Sequence, residues 1–228
     1  MANKAQLTLD TLLDAILPHV VFDGWAPASF EAALADLKVS QADAHVIAPR
    51  GAIDLAVAYH RRGDALMVAQ MESADLNALR YSEKVATALR FRIEAMDNRE
   101  ALRRASTLFA LPIHAVEGGK LIWETADHVW NALGDSSEDA NWYTKRATLS
   151  GVWASTVLFW LGDDSAEFAN TYAFIDRRIE DVMRIEKMKG KLRENPISKP
   201  LMQLQDAFFS KLRAPKGAPD DLPGSVSN

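Results

Sequence analysis

Apolar residues recur at helical spacing along nearly the whole chain, and no stretch shows the two-residue alternation of a half-buried strand. Positions 9, 12, 13, 16 and 17 form one stripe, predicting a helix over 7–17. Pro18 should end it, because proline lacks the amide donor and crowds the preceding turn. Ser29 is placed to cap a short helix through Leu37, and Ser40 opens another that stops before Pro49. A turn at Arg50-Gly51 leads into 52–59, with further helices over 65–76, 81–96, 98–110 and 121–133. Gly118-Gly119, following Pro112 and His114, reads as a loop between helices. Beyond Trp142 a long helix reaches Leu161, a Gly162-Asp163-Asp164-Ser165 cap follows, and the next helix runs to about Arg193. The fold class is all-α.

Residues 130–146 depart from plain periodicity. A Gly134-Asp135-Ser136-Ser137 turn closes one helix, Asp139 or Asn141 caps the next, and Trp142 and Tyr143 stand side by side in its first turn. Neighbours on a helix diverge by about 100°, so both rings cannot share one core-facing stripe. At least one faces a groove, a partner or solvent. The other option is that Trp142 packs in the core and Tyr143 lies half-buried with its hydroxyl wet.

Composition narrows the chemistry. With 228 residues, 48% of them hydrophobic, the chain has enough apolar material for one sizeable core or a small unit fused to a larger one. The absence of cysteine excludes disulfides, thiolate metal sites and a cysteine nucleophile. Residues 1–10 have neither a secretory apolar run nor an Arg-rich presequence, which leads us to expect a bacterial cytosolic protein. The apolar run 147–161 is shorter than the ~20 residues of a membrane span and reads as a buried helix. The five histidines, at 19, 45, 60, 114 and 128, form no metal-binding helix motif. Asp127 and His128 diverge as helical neighbours, and neither a phosphate-binding glycine loop nor a serine elbow is present. We therefore expect no catalytic residue, no metal ligand, no cofactor and no enzymatic activity.

Charge is unevenly placed. Residues 187–216 carry eight basic residues and two acidic ones, a net of +6, while the remainder is −11. After the Asn195-Pro196 break, Pro200 suits a helix start, and Leu201, Leu204, Phe208 and Leu212 share a stripe widened by Met202 and Phe209. Flanked by Lys199, Lys211, Arg213 and Lys216, this helix is predicted to lie on an anionic membrane, each cation contributing ~1 kcal/mol. The alternative is that it folds back over its own core or a partner's. The tail after it, 215–228, is expected to be disordered.

The run Asn141-Trp142-Tyr143-Thr144-Lys145-Arg146 after a Gly-Asp-Ser turn is followed by Asp163-Asp164-Ser165 and Phe174-Ile175-Asp176-Arg177-Arg178-Ile179. With 103–111 and 127–130, these segments arrive in the order seen in the bacterial form of the Coq-nine family, the lipid-binding accessory proteins of ubiquinone (coenzyme Q) biosynthesis, which the chain resembles over about 10–185. The resemblance implies a TetR-like helical bundle and a hydrophobic tunnel for an isoprenoid or phospholipid. It also implies help to a di-iron hydroxylase acting on a late quinone intermediate. It divides the chain into a helix-turn-helix-like module (1–50), a ligand-binding and dimerisation bundle (51–195), an amphipathic membrane helix (196–214) and the tail.

Residues 1–48 hold two basic residues, Lys4 and Lys38, against six acidic ones, so a DNA-reading head there would be repelled by phosphates. The module is read as degenerate, with no nucleic acid as partner. The expected lipid lining is Leu89, Ile93, Leu108, Leu111, Trp123, Val152 and Phe159, joined by Ile113, Ile122 and Val129. On periodicity alone the same residues read as ordinary core. By resemblance Trp142 and Tyr143 contact the hydroxylase, with Lys145 and Arg146 steering it or serving as structural ion-pair members. Phe168, Tyr172, Ile175, Ile179 and Val182 recur at coiled-coil-like spacing, and the preceding helix is apolar on several sides, which predicts a homodimer. The resulting expectation is a peripheral inner-membrane protein that binds a quinone intermediate or related lipid and assists its hydroxylation. A ligand-sensing TetR-like regulator and a membrane-recruitment dimer without internal ligand are the alternatives.

Overall fold

A computed structural model describes residues 7–138 and 140–194. The predicted amphipathic helix with Leu201, Leu204, Phe208, Phe209 and Leu212, the tail, and the cap at Asp139 lie outside the described residues. Among the described residues there are nine α-helices and no strand: α1 (Leu9–Asp23), α2 (Pro27–Leu37), α3 (Gln41–Ile47), α4 (Ala52–Ser73), α5 (Tyr81–Glu94), α6 (Arg99–Ala110), α7 (Ala115–Ala132), α8 (Ala140–Leu161) and α9 (Ala169–Glu194), with a 3-10 turn at Ala166–Phe168. No described helix is long and apolar enough to cross a membrane.

The short helices α1–α3 form an N-terminal layer, in which Leu12, Leu13, Ile16 and Val20 of α1 turn inward. Helix α4 runs through the middle and packs on α1, α5 and α7, while α9 closes the far side against α5 and α8. Trp25 ties the N-terminal layer to the bundle by donating its indole N–H to the Ala101 carbonyl at 3.0 Å.

Several boundaries differ from those expected, each for a local reason. Pro18 lies inside α1, not at its end. Pro18 and Asp14 are both exposed, so the Asp14 carbonyl that loses its helical donor faces water. Helix α2 starts at Pro27, whose missing N–H costs nothing at N1, and Ser29 is instead a buried helical residue donating to the Gly24 carbonyl at 2.6 Å. The segments 52–59 and 65–76 are joined as one helix, α4, through Gly63. Helix α7 starts before Gly118-Gly119, so both glycines are helical. Gly118 is held against α6, where an added Cβ would lie 2.8 Å from the Phe109 Cβ. Ser40 caps α3 as expected, accepting from the Asp43 amide at 3.1 Å. The α9 seam faces its own chain: Ile175 and Ile179 are buried, and Phe168, Tyr172 and Val182 pack on the same core.

Candidate functional site

Helices α4, α6, α7 and α8 leave an apolar cleft of about 350 Å³ between them. The space exists because the facing positions are small: Ala105, Ser106 and Ala110 on α6, Ala115, Gly118 and Gly119 on α7, and Ala154 on α8. Larger side chains close its sides, with Leu102, Phe109, Ile122, Trp153 and Val157 supplying apolar wall. The volume is within the range of small-molecule sites, and among the lining residues Tyr59, His60, Ser106 and Trp153 are those with polar side-chain atoms. The Tyr59 hydroxyl is engaged, donating to the Asn98 carbonyl at 3.0 Å.

His60 is neutral at physiological pH. Burial, and then the positive charge of Arg92, lower its pKa from 6.5 to about 4. Its Nε2 lies 3.1 Å from the Leu121 carbonyl, an obligate acceptor, which assigns the ring proton to that nitrogen. Beneath it, Asp64 and Arg92 form an ion pair with 1% of each side chain exposed, Nε donating to Oδ1 at 2.7 Å. Arg92 Nη2 also donates to the His60 carbonyl, Thr125 donates to Asp64 Oδ1, and Trp153 lies 5.3 Å from the guanidinium. Gly63 makes this possible, since a Cβ there would sit 2.3 Å from Arg92 Nη1. Asp64 Oδ2 and Arg92 Nη1 have no hydrogen-bond partner, so the network is not fully satisfied.

A second constellation stands where α7 turns into α8. Gly134, at φ 72°, reverses the chain, and the Asp135 amide donates back to the Trp130 carbonyl at 3.0 Å. Asp135 is thereby directed inward, with 2% of its side chain exposed, to meet Lys145 Nζ at 2.6 Å and Arg146 Nη1 at 3.2 Å. Burial raises its pKa, but hydrogen bonds from Lys145, Ser137 and Arg146 outweigh that and hold it below the usual carboxylate range. Asp127 accepts from Arg146 Nε, and Asn131 from Nη2, so the guanidinium fastens α8 to α7. Around this knot Trp142 lies 5.9 Å from Trp123 and 4.8 Å from Tyr143, with Arg146 4.0 Å over its ring. All three aromatic residues are half-buried.

The sequence-based groupings are therefore rearranged. Trp142 and Tyr143 form a half-buried aromatic edge, whereas Arg146 is interior and Lys145 is turned toward Asp135. Of the expected lining, Leu89, Ile93 and Val152 are buried core. Leu108 is half-buried, Trp123 stands in the aromatic cluster, and Leu111 is exposed at the end of α6. Phe159 stacks on Phe174 at 4.5 Å near the surface. None of these seven lines the cleft, whereas Ile122 does. The missed signal was the set of small residues, because a cavity forms where side chains are absent. Among the described residues no cluster of histidines and carboxylates is placed to hold a metal.

The family model COQ9 matches residues 115–186, which carry α7, α8 and most of α9. The chain is 30% identical over 183 residues to "Ubiquinone biosynthesis protein COQ9, mitochondrial" of Rattus norvegicus, covering 76% of this chain and 58% of that protein. The Homo sapiens protein of the same name is 27% identical, with 76% and 57% covered. "Probable ubiquinone biosynthesis protein coq9, mitochondrial" of Dictyostelium discoideum is 26% identical over 192 residues, with 80% and 62% covered. The chain thus spans about three fifths of the length of the curated relatives it matches. Among solved structures, a TetR transcriptional regulator from Nitrosomonas europaea superimposes with a TM-score of 0.63 at 21% identity, covering 75% of this chain and 95% of that one. At that identity the likeness establishes the fold, a TetR-like all-α bundle.

Proposed function

We propose, from the premise that this chain belongs to the COQ9 family of ubiquinone biosynthesis proteins, that it is a non-catalytic accessory of that pathway which holds an isoprenoid-tailed intermediate or related lipid. The observation that carries the reading is the apolar, uncharged cleft between α4, α6, α7 and α8. A prenyl chain gains about 0.8 kcal/mol for each methylene group it removes from water there. No charged side chain lines the space, so a quinone or phosphate headgroup is favoured at the mouth and the tail inside. His60, held neutral by burial and by Arg92, suits a floor that accepts an uncharged chain.

Delivery to a hydroxylase uses the aromatic edge. Trp142 and Tyr143 are the large amphipathic side chains that anchor interfaces, and the Asp127–Asp135–Arg146 knot fixes the helix that bears them. Arg146 is then a positioning residue, and Lys145 stands between that role and the surface. The segment with Leu201, Leu204, Phe208, Phe209 and Leu212 is proposed to hold the protein on an anionic membrane, and the working unit is a homodimer. Mass spectrometry of lipids extracted from the purified protein, against an equally purified control from the same cells, tests the reading. Enrichment of a prenylated quinone or a defined phospholipid is expected, and an empty protein would overturn it.

A further inference from the structure

The turn between α6 and α7 exposes large apolar side chains close together in sequence. Leu111 is 48% exposed, Ile113 83% and Val116 87%, and Pro112 between them is exposed as well. Buried apolar side chains need no explanation, but three large ones clustered on one projecting turn do. The turn is also continuous with the cleft: Phe109 and Ala110 immediately before it, and Ala115, Gly118 and Gly119 immediately after, line that space. Leu158, 70% exposed, lines the same space from α8, on another side of the cleft from the turn.

Three amides of the turn are satisfied locally, Leu111 donating to the Leu108 carbonyl at 3.2 Å, His114 to Leu111 at 2.9 Å and Gly118 to His114 at 2.9 Å, while the first amides of α7 receive no side-chain cap from His114. The close contact of Gly118 with Phe109 holds the two helix ends together. Charge points the same way. Within 111–120 the single acid is Glu117, which is neutralised by two hydrogen bonds from Arg50 at 2.9 and 3.0 Å, while His114 and Lys120 are the basic residues. Glu124, one turn on, is tied to Arg61 at 3.0 Å.

We infer that the α6–α7 turn is a bilayer-inserting tip at the mouth of the cleft, through which an apolar chain passes from lipid into the protein. A bilayer is the occupant that fits, because a chain drawn from it enters the cleft without crossing water, and because the one carboxylate of the turn, Glu117, is tied to Arg50 and presents no unpaired negative charge to the headgroup layer. The tip acts beside any membrane contact made by residues 196–214. The inference rests on the proposed lipid-holding function for the meaning of the cleft, but the insertion itself is measured separately.

The chain has no cysteine, so one label can be placed at will in the full-length protein. Ile113→Cys carrying an environment-sensitive fluorophore is compared with Ser73→Cys, at the opposite end of α4 from the Arg50–Glu117 contact. The probes are vesicles of phosphatidylcholine with a minority of phosphatidylglycerol, with and without spin-labelled acyl chains. At position 113 a blue shift and acyl-chain quenching are expected, with neither at position 73. In parallel, Ile113→Asp combined with Val116→Asp should slow uptake of a fluorescent prenyl alcohol from these vesicles by about tenfold or more, two buried aliphatic side chains being lost from the apolar phase. Its occupancy after direct addition without vesicles should be unchanged.

A label at 113 that stays in water while the protein pellets with vesicles overturns the proposal, as does an unchanged uptake rate in the double variant. A shift at 113 that follows protein concentration without vesicles overturns it in favour of a second copy of the chain. If wild-type protein takes up no prenyl alcohol by either route, the lipid-holding function fails, and the label at 113 still reports whether the tip inserts.

Discussion

Arg92 and Asp64 meet in the interior between α5 and α4, and their pairing leaves one atom on each side without a partner. Removing one member strands the other charge in the core. Asp64→Ala should therefore cost about 3–5 kcal/mol in urea unfolding, whereas Arg61→Ala, which breaks an exposed pair with Glu124, should cost less than about 1 kcal/mol. Gly63→Ala improves helix propensity yet pushes a methyl group into the guanidinium, so it should destabilise by about 1–3 kcal/mol. His60 adds a pH dependence with a definite sign. The folded side chain takes its proton near pH 4 and an unfolded histidine near 6.5, so between those values the unfolded chain binds more protons. Stability contributed by neutral His60 is complete above 6.5 and is lost as pH falls toward 4, at up to about 1.4 kcal/mol per unit. Urea midpoints for wild type and His60→Gln at pH 7 and pH 5 check this; the variant should lose less stability on acidification.

The start of α8 separates two roles that are adjacent in sequence. For the proposed contact with a hydroxylase, Trp142→Ala should leave helicity by circular dichroism intact and weaken that binding by about tenfold or more, as expected for an interface anchor. Arg146→Ala leaves Asp135 buried with fewer partners and should lower stability by about 2–3 kcal/mol, measured by thermal unfolding. Unchanged hydroxylase binding in Trp142→Ala would assign that ring to packing against Trp123. At this scale the sequence is readable where a single residue governs the outcome, as with Ser40, whose side chain caps α3. It misled where tertiary neighbours decide. Pro18 is tolerated because its face is wet, Gly63 marks the approach of Arg92 and not a helix break, and Gly118 marks the approach of Phe109. Large apolar residues predicted the core and thereby pointed away from the cleft. The cleft is written in Ala105, Ala115, Gly119 and Ala154, small residues on facing helices whose significance depends on which helices face each other.

The bundle as a whole leaves apolar surface that one chain does not cover. The α9 seam is consumed internally, yet Leu158 and Phe159 on α8 and Met183 and Ile185 on α9 are exposed, and Phe159 stacks on Phe174 between them. These exposed residues on α8 and α9 are the surface on which the proposed homodimer would form. Light scattering at micromolar concentration should give twice the 25.2 kDa chain mass, and Phe159→Asp with Phe174→Asp should return the monomer. A monomeric wild-type protein would show that this face serves something else. Leu158 makes the dimer matter to the ligand, because it both lines the cleft and lies on the uncovered face. A partner subunit seated on Leu158 in the proposed dimer would shut that side of the cleft off from water. The monomeric variant should consequently release a fluorescent prenyl alcohol into water faster than the dimer does, and equal release rates would mean that the partner subunit adds nothing to the wall.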